Sequence, residues 1–377
     1  MDVPRPDGTL PHLADVTPSV LAALGVAGFE PRIPLPYDAR GACVLLIDGL
    51  GAELLDAYID DAPVLAGMRG PTLQVGFPAT TAAGLAAIGT GCRSGEHGMV
   101  GMTFRLPDVG VINALRWRPH PWGDDLRERA VPEEVQPRPT VFEKAASTGV
   151  AVSVISGAQF AGSGLTRAAL RGGTYAGVHT MGDLAATIGS VIADRGFCYG
   201  YHADLDLVGH LHGPGSDAWR LQLRQVDKLV ESIVDGLPAG GLLAVVADHG
   251  MVHVDEHVID LDSCDVLHAG AEAIAGEVRA RHIYTRAGAR EDVLAAWRAT
   301  LGDMAWVVTG EEAIEAGWFG ERVADTVRPR IGNVVAAATG SAGMLRRTVE
   351  PVESSLVGQH GSLTSAEQRV PLLLAHR

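Results

Sequence analysis

The sequence predicts an α/β protein with a central, mostly parallel sheet flanked by helices. Three observations carry that prediction: unbroken apolar runs of strand length, carboxylates where those runs end, and helix-like stretches between them. Residues 42–47 are apolar throughout, as expected of a strand buried on both faces, and the run ends at Asp48-Gly49. The run 197–201 leads into Asp204 and Asp206, and 242–247 leads into Asp248-His249. Open α/β sheets bind ligands beyond the carboxyl ends of their strands, so these polar groups mark a candidate site. Helix-like stretches at 81–88, 140–147, 183–194 and 216–234 supply the alternation. Two segments fit it poorly: 101–138, rich in Pro, Trp and Arg, and 254–328, with a possible strand-helix-strand unit around 282–308. Both read as insertions capping the site of a single catalytic domain spanning 1–377.

Composition narrows the function. A formal net charge of -15 repels polyanions on average, which argues against a nucleic-acid scaffold role. A small anion can still bind where cations reverse the local field, which favours a metal site over a basic groove. Cys43, Cys92, Cys198 and Cys264 form no CxxC pair and read as reduced thiols, Cys43 and Cys198 within buried strands. Residues 1–10 lack a basic stretch followed by an apolar one, and no apolar run approaches the ~20 residues of a membrane span. The expectation is a cytoplasmic protein without membrane association; oligomeric state is left open.

The chemistry concentrates in Asp48, Asp206 with His210, Asp248-His249 and His360. Singly, each has an ordinary use, because a strand-terminal Asp most often caps a helix or forms a turn. Together, three Asp and three His make an N/O donor set that suits zinc, with manganese or another transition metal as alternatives, and suffice for two ions with open positions. Residues 77–84, Phe-Pro-Ala-Thr-Thr-Ala-Ala-Gly, offer a threonine at a helix N-terminus, where backbone N–H groups favour a phosphoryl oxygen. Thr80 reads equally as a plain N-cap. His212, His253 and His257 read as loop histidines outside the ligand set. Trp117, Trp122, Arg105, Arg116 and Arg118 either reach substrate or pack the insertion. Gly49-Leu50-Gly51 lacks the third glycine of a dinucleotide fingerprint, since Leu54 stands there.

In order and content, Asp48, the threonine region, Asp206-x-x-x-His210 with Gly213-Pro214, residues 247–251 (Ala-Asp-His-Gly-Met) and His360-Gly361 resemble the type I phosphodiesterase/nucleotide pyrophosphatase family of the alkaline phosphatase superfamily. The resemblance runs from about residue 43 to the end and is strong at those five points. It implies an alkaline phosphatase-like fold and two divalent ions, one held by Asp206, His210 and His360, the other by Asp48, Asp248 and His249. It also implies a nucleophilic threonine nine residues before a Thr-Gly pair, and counting back from Thr90-Gly91 gives Thr81, with Thr80 as fallback. The implied activity is two-metal hydrolysis of a small phosphate ester, a nucleotide among the candidates, through a covalent phosphothreonine. Two departures stand out: Phe77-Pro78 precedes the nucleophile instead of following it, and Gly84 replaces the family's phosphate-contacting asparagine. The alternatives are a phosphomonoesterase or phosphonate hydrolase of the same superfamily and, in a different class, a metal-stabilised binding module without catalysis. Cys92-Arg93-Ser94 does not supply a sulfatase maturation motif. The substrate-binding residues are not legible at this stage.

Overall fold

The structure, a computed structural model, describes every residue except Met1, Pro36, Tyr37, Arg69 and Asp255. Among the described residues, the central sheet has six strands in the order Leu373–His376, Gly241–Val246, Gly41–Ile47, Phe197–His202, Val152–Gly157, Thr174–Val178. The last five run parallel, and Leu373–His376 pairs antiparallel at one edge. Every residue of Gly41–Ile47 and Gly241–Val246 is buried, as their unbroken apolar sequences require of strands covered on both faces. Fully burying each Leu, Ile or Val contributes about 2 kcal/mol. A one-residue slip of Gly41–Ile47 would draw the Asp48 carboxylate into that apolar layer, so burial fixes where the acid emerges.

Helices cover both faces. The Asp217–Asp235 helix buries Trp219, Leu223, Val226, Val230 and Ile233 at helical spacing. The Val141–Ser147 helix begins at a capping box of Thr140 and Glu143. Met181–Ala193 starts two residues before the sequence expectation, because the Thr180 hydroxyl accepts from the Asp183 N–H and so sets the boundary. The strands Val152–Gly157 and Thr174–Val178 were not singled out in the sequence, where Ser and Gly dilute the apolar signal.

The segment predicted as the first insertion holds a three-stranded antiparallel sheet, Thr103–Leu106, Gly110–Asn113 and Arg118–Pro119. In the second, Ala280–Thr285, the helix Arg290–Leu301 and Ala305–Thr309 form the strand-helix-strand unit. They belong to a four-stranded antiparallel sheet with Ala271–Glu277 and, beyond the expected end at 328, Val334–Ala338. This sheet carries its own apolar cluster around Trp297, Ile283 and Leu267. Buried ion pairs, Arg279 with Glu367 at 2.7 Å and Arg281 with Glu350 at 2.8 Å, tie its strands to the following chain. No helix among the described residues is long and apolar enough to cross a membrane.

Candidate metal centre and active site

Three adjacent strands deliver the acids. Asp48 follows Gly41–Ile47, and Asp248 and His249 follow its neighbour Gly241–Val246. From these two strands the chain continues toward opposite edges of the sheet, the arrangement that opens a crevice at the carboxyl ends. Beyond Phe197–His202, the helix Asp204–His212 sets Asp206 and His210 one turn apart on one face. Gly49 turns the chain at φ 74°, and a side chain there would press on Asp206. His360 follows the Gly358–Gln359 strand.

All six predicted ligands converge. His210 Nε2 lies 3.2 Å from Asp206 Oδ2, His360 Nε2 3.9 Å from Asp206 Oδ1, and His249 Nε2 3.3 Å from Asp48 Oδ1 and 3.6 Å from Asp248 Oδ2. Two sets have potential ligand atoms within 4.8 Å of one another: Asp206, His210 and His360, and Asp48, Asp206 and His249. Asp206 therefore faces both halves of the cluster.

The imidazoles are oriented from behind. His210, His249 and His360 each set Nδ1 against a backbone carbonyl, of Gly358 at 2.6 Å, Gly250 at 3.0 Å and Ala79 at 2.8 Å. A carbonyl accepts only, so each Nδ1 donates its proton there and each ring turns Nε2 toward carboxylates. A cation between nitrogen and carboxylate would be held by both, each giving a lone pair. Correspondingly, Asp48 Oδ1, Asp206 Oδ1 and Asp248 Oδ2 are buried without a hydrogen-bond partner. Burial and the charges of Asp248 and Asp206 push Asp48 well above the usual carboxylate range, and burial raises Asp248 as well. Against the cost of burial, pairing with His210 holds Asp206 low and raises His210. Burial and the neighbouring His249 drive His360 well below the usual imidazole range. Anions crowded in a largely buried pocket with aimed nitrogen donors suit bound divalent cations.

The two threonines part company in the fold. Thr80 is the buried N-cap of the Thr81–Thr90 helix, but its side chain makes no capping bond; its hydroxyl lies near Glu277. Thr81 opens the helix, half-buried, with Oγ1 3.3 Å from His249 Nε2. The first-turn N–H groups are thus left without a side-chain cap, beside a hydroxyl facing the cluster. Small residues bring this helix close: a Cβ on Gly84 would clash with the Asp248 side chain and backbone. No asparagine can stand at that position in this packing, which explains the departure seen in the sequence.

Other candidates lie elsewhere. His212 and His253 are exposed and outside the ligand cluster. Arg105 pairs with Glu272, Arg116 with Glu353, and Trp117 is buried with Nε1 donating to the Ala130 carbonyl, so these residues pack the insertion. Trp122 and Arg118 are exposed.

Three contributors escaped the sequence reading. The Tyr201 hydroxyl donates to Asp48 Oδ2, which leaves Oδ1 free for the centre. Leu115 extends from the first insertion into the cavity beside Thr81. Glu277, the acid closing the Ala271–Glu277 strand, accepts the Met102 N–H at 3.2 Å and lies near the Thr80 hydroxyl. A lone acid in the apolar run 273–278 was the signal that could have found it. Burial pushes Glu277 up to about 7, although the Thr80 and Met102 bonds oppose the shift. The folded protein therefore keeps a proton that the unfolded chain releases near 4.5. The resulting stabilisation is fully present below about pH 4.5 and is lost as pH rises to about 7, a span worth about 3 kcal/mol. In chemical denaturation, Glu277→Gln is expected to gain about that much on wild type between these pH values; a difference independent of pH contradicts the assignment.

Strand-end carboxylates and aimed imidazoles on a mostly parallel sheet define an α/β protein with a candidate divalent-metal centre. Comparison with known proteins gives the branch. The sequence profile of the type I phosphodiesterase / nucleotide pyrophosphatase family matches residues 42–363, and the chain belongs to this family of phosphoester hydrolases. Among curated proteins, GPI ethanolamine phosphate transferase 3 of Eremothecium gossypii is 36% identical over 58 residues, covering 15% of this chain and 6% of that protein. Among solved structures, murine ectonucleotide pyrophosphatase / phosphodiesterase 5 is similar with a TM-score of 0.69 and 17% identity, over 89% of this chain and 88% of that one. An inactive variant of that enzyme, with a threonine changed to alanine, is in complex with AMP; its TM-score is 0.67 at 17% identity and the same coverage. Phosphonoacetate hydrolase from Sinorhizobium meliloti 1021, in complex with phosphonoacetate, gives a TM-score of 0.68 at 20% identity, over 90% of each chain. At these identities the likeness establishes the fold.

Proposed function

We propose that this chain is a two-metal phosphodiesterase of the nucleotide pyrophosphatase type that works through a covalent phosphothreonine on Thr81. The observation carrying the proposal is the Thr81 hydroxyl at a helix N-terminus, 3.3 Å from His249 and beside a cluster of three carboxylates and three Nε2 atoms. Asp206, His210 and His360 would hold one ion, and Asp48, Asp248 and His249 the other. When bound, such ions, zinc by the donor set, lower the cost of an alkoxide and offset charge on phosphoryl and leaving oxygens.

The remaining work falls to the chain. Thr81 is positioned for in-line attack by the helix start, the hydroxyl oxygen forming the new bond to phosphorus as the alcohol leaves from the opposite face. Water then displaces the threonine oxygen and restores the hydroxyl. The uncapped N–H groups of the first turn offer hydrogen bonds to a phosphoryl oxygen, the role that a Gly84 side chain cannot take. Tyr201 fixes the Asp48 carboxylate, and the three backbone carbonyls fix the imidazoles. That the murine relative with a threonine-to-alanine change is inactive supports a threonine nucleophile here.

A diester is favoured because the cavity beside Thr81 has a wall for a second ester group. With nitrophenyl substrates, kcat/KM on a phosphodiester is expected to exceed that on the monoester by at least about tenfold. A large preference for the monoester overturns the diesterase reading in favour of a phosphomonoesterase.

A further inference from the structure

We infer that the cavity beside Thr81 receives an uncharged, mainly apolar ester group, and that the enzyme discriminates against substrates whose second ester group carries a carboxylate or further phosphate. The inference rests on the diesterase reading above and assigns its substrate class.

The cavity has a volume of about 380 Å³, within the range of small-molecule sites. One end is formed by Asp48, Thr81, Asp206 and His210, so a group in it would be attached to the phosphorus under attack. Its walls are Leu85, Leu115, Phe160, Leu165, Leu170 and Leu207. Three of these are large side chains left in contact with solvent: Leu115 is 40% exposed, Phe160 37% and Leu207 53%. A few large apolar side chains exposed on a surface are ordinary, but here they converge on one mouth, from an insertion loop, a strand-end turn and the ligand-bearing helix.

These positions are built. The Asn113 carboxamide oxygen accepts the N–H groups of Leu115 and Arg116 at 3.0 and 2.9 Å, and the buried Trp117 anchors the same loop. The Phe160 ring meets Tyr201 edge-on at 6.1 Å, and Tyr201 in turn holds Asp48. The apolar wall is thereby continuous with the reacting centre.

Charge decides what the wall accepts. Among the described residues no Lys or Arg lines the cavity, and the acid beyond the ligand cluster is Asp204, exposed to solvent. A second phosphate or a carboxylate held along the leucine wall, away from the metal-ligating end, would meet no Lys or Arg among the described residues and would lose water against leucine. The neutral polar groups are partly committed already: the Ser163 hydroxyl donates to Thr166 Oγ1 at 3.0 Å and caps the Gly164–Ala169 helix. Hydrogen-bond readout of a nucleobase is thus left mainly to Ser156 and Gln159, whereas six large apolar side chains offer contact along the walls.

The test uses the metal-loaded full chain and nitrophenyl phosphodiesters with methyl, butyl, phenyl, carboxyphenyl and thymidine groups. From methyl to butyl, kcat/KM is expected to rise about fourfold per methylene, the increment of full apolar burial. The phenyl ester is expected to match or exceed the butyl ester, and the carboxyphenyl ester to fall at least about tenfold below phenyl. In Leu115→Arg, the carboxyphenyl to phenyl ratio should rise at least about tenfold; in Phe160→Ala, the phenyl to methyl ratio should fall. Equal rates across the series, or a carboxyphenyl ester faster than phenyl, overturn the inference and leave the diesterase reading intact. A thymidine ester at least tenfold faster than phenyl also overturns it, in favour of base recognition. Failure to hydrolyse any ester, methyl included, sinks the diesterase reading and this inference with it.

Discussion

Thr81→Ala is expected to lower kcat on a nitrophenyl phosphodiester by about 10⁴-fold while leaving metal content at the wild-type level. The size follows from role. A group that forms the covalent bond cannot be replaced by better positioning, and residual rates in nucleophile variants reflect only binding and electrostatic stabilisation. Metal content should persist because six other side chains supply the donor atoms around the centre. Thr80→Ala is the matched control. The Thr80 hydroxyl lies near Glu277 and lines neither the ligand cluster nor the cavity, so its loss is expected to cost turnover by less than about tenfold. If Thr80→Ala is the dead variant and Thr81→Ala the live one, the site must be rebuilt one residue earlier.

Removal of metal is expected to have an effect of the same order. Dialysis against a chelator should abolish turnover, and zinc should restore it. Among single ligands, Asp206→Asn should be the most damaging, because Asp206 faces His210 through one oxygen and His360 through the other, while also lying within reach of the Asp48 and His249 set. We expect it to bind at least one ion fewer than wild type, measured by elemental analysis. Chelated protein that turns over at the wild-type rate contradicts the account of the centre.

The candidate ligands were legible because strand, acid and histidine coincide in the sequence. Asp48 and Asp248-His249 end apolar runs of strand length, and only parallel strands buried on both faces give such runs. The spacing of Asp206 and His210 was legible as one helical turn. Less legible were elements whose meaning arises from distant pairing. Val334–Ala338 completes the second sheet between Ala280–Thr285 and Ala305–Thr309, a pairing set by tertiary packing and not by local pattern. Tyr201 reads as an ordinary strand tyrosine until the neighbouring strand places Asp48 against it. Leu115 looked like part of a Trp- and Arg-rich insertion, and the arginines drew attention that the leucine carries; its role depends on a turn made by Asn113 and on a cavity formed by three separate elements. Gly84 is a visible departure in the sequence, whereas its cause, the close approach of Asp248, arises only from the tertiary fold.

The central claim is double displacement at phosphorus through the chain's own threonine. Hydrolysis of a chiral phosphorothioate diester in isotopically labelled water tests it most directly, because each in-line displacement inverts the phosphorus. Two displacements through Thr81 predict net retention of configuration. Net inversion would mean that water attacks the substrate directly, and would contradict the phosphothreonine account.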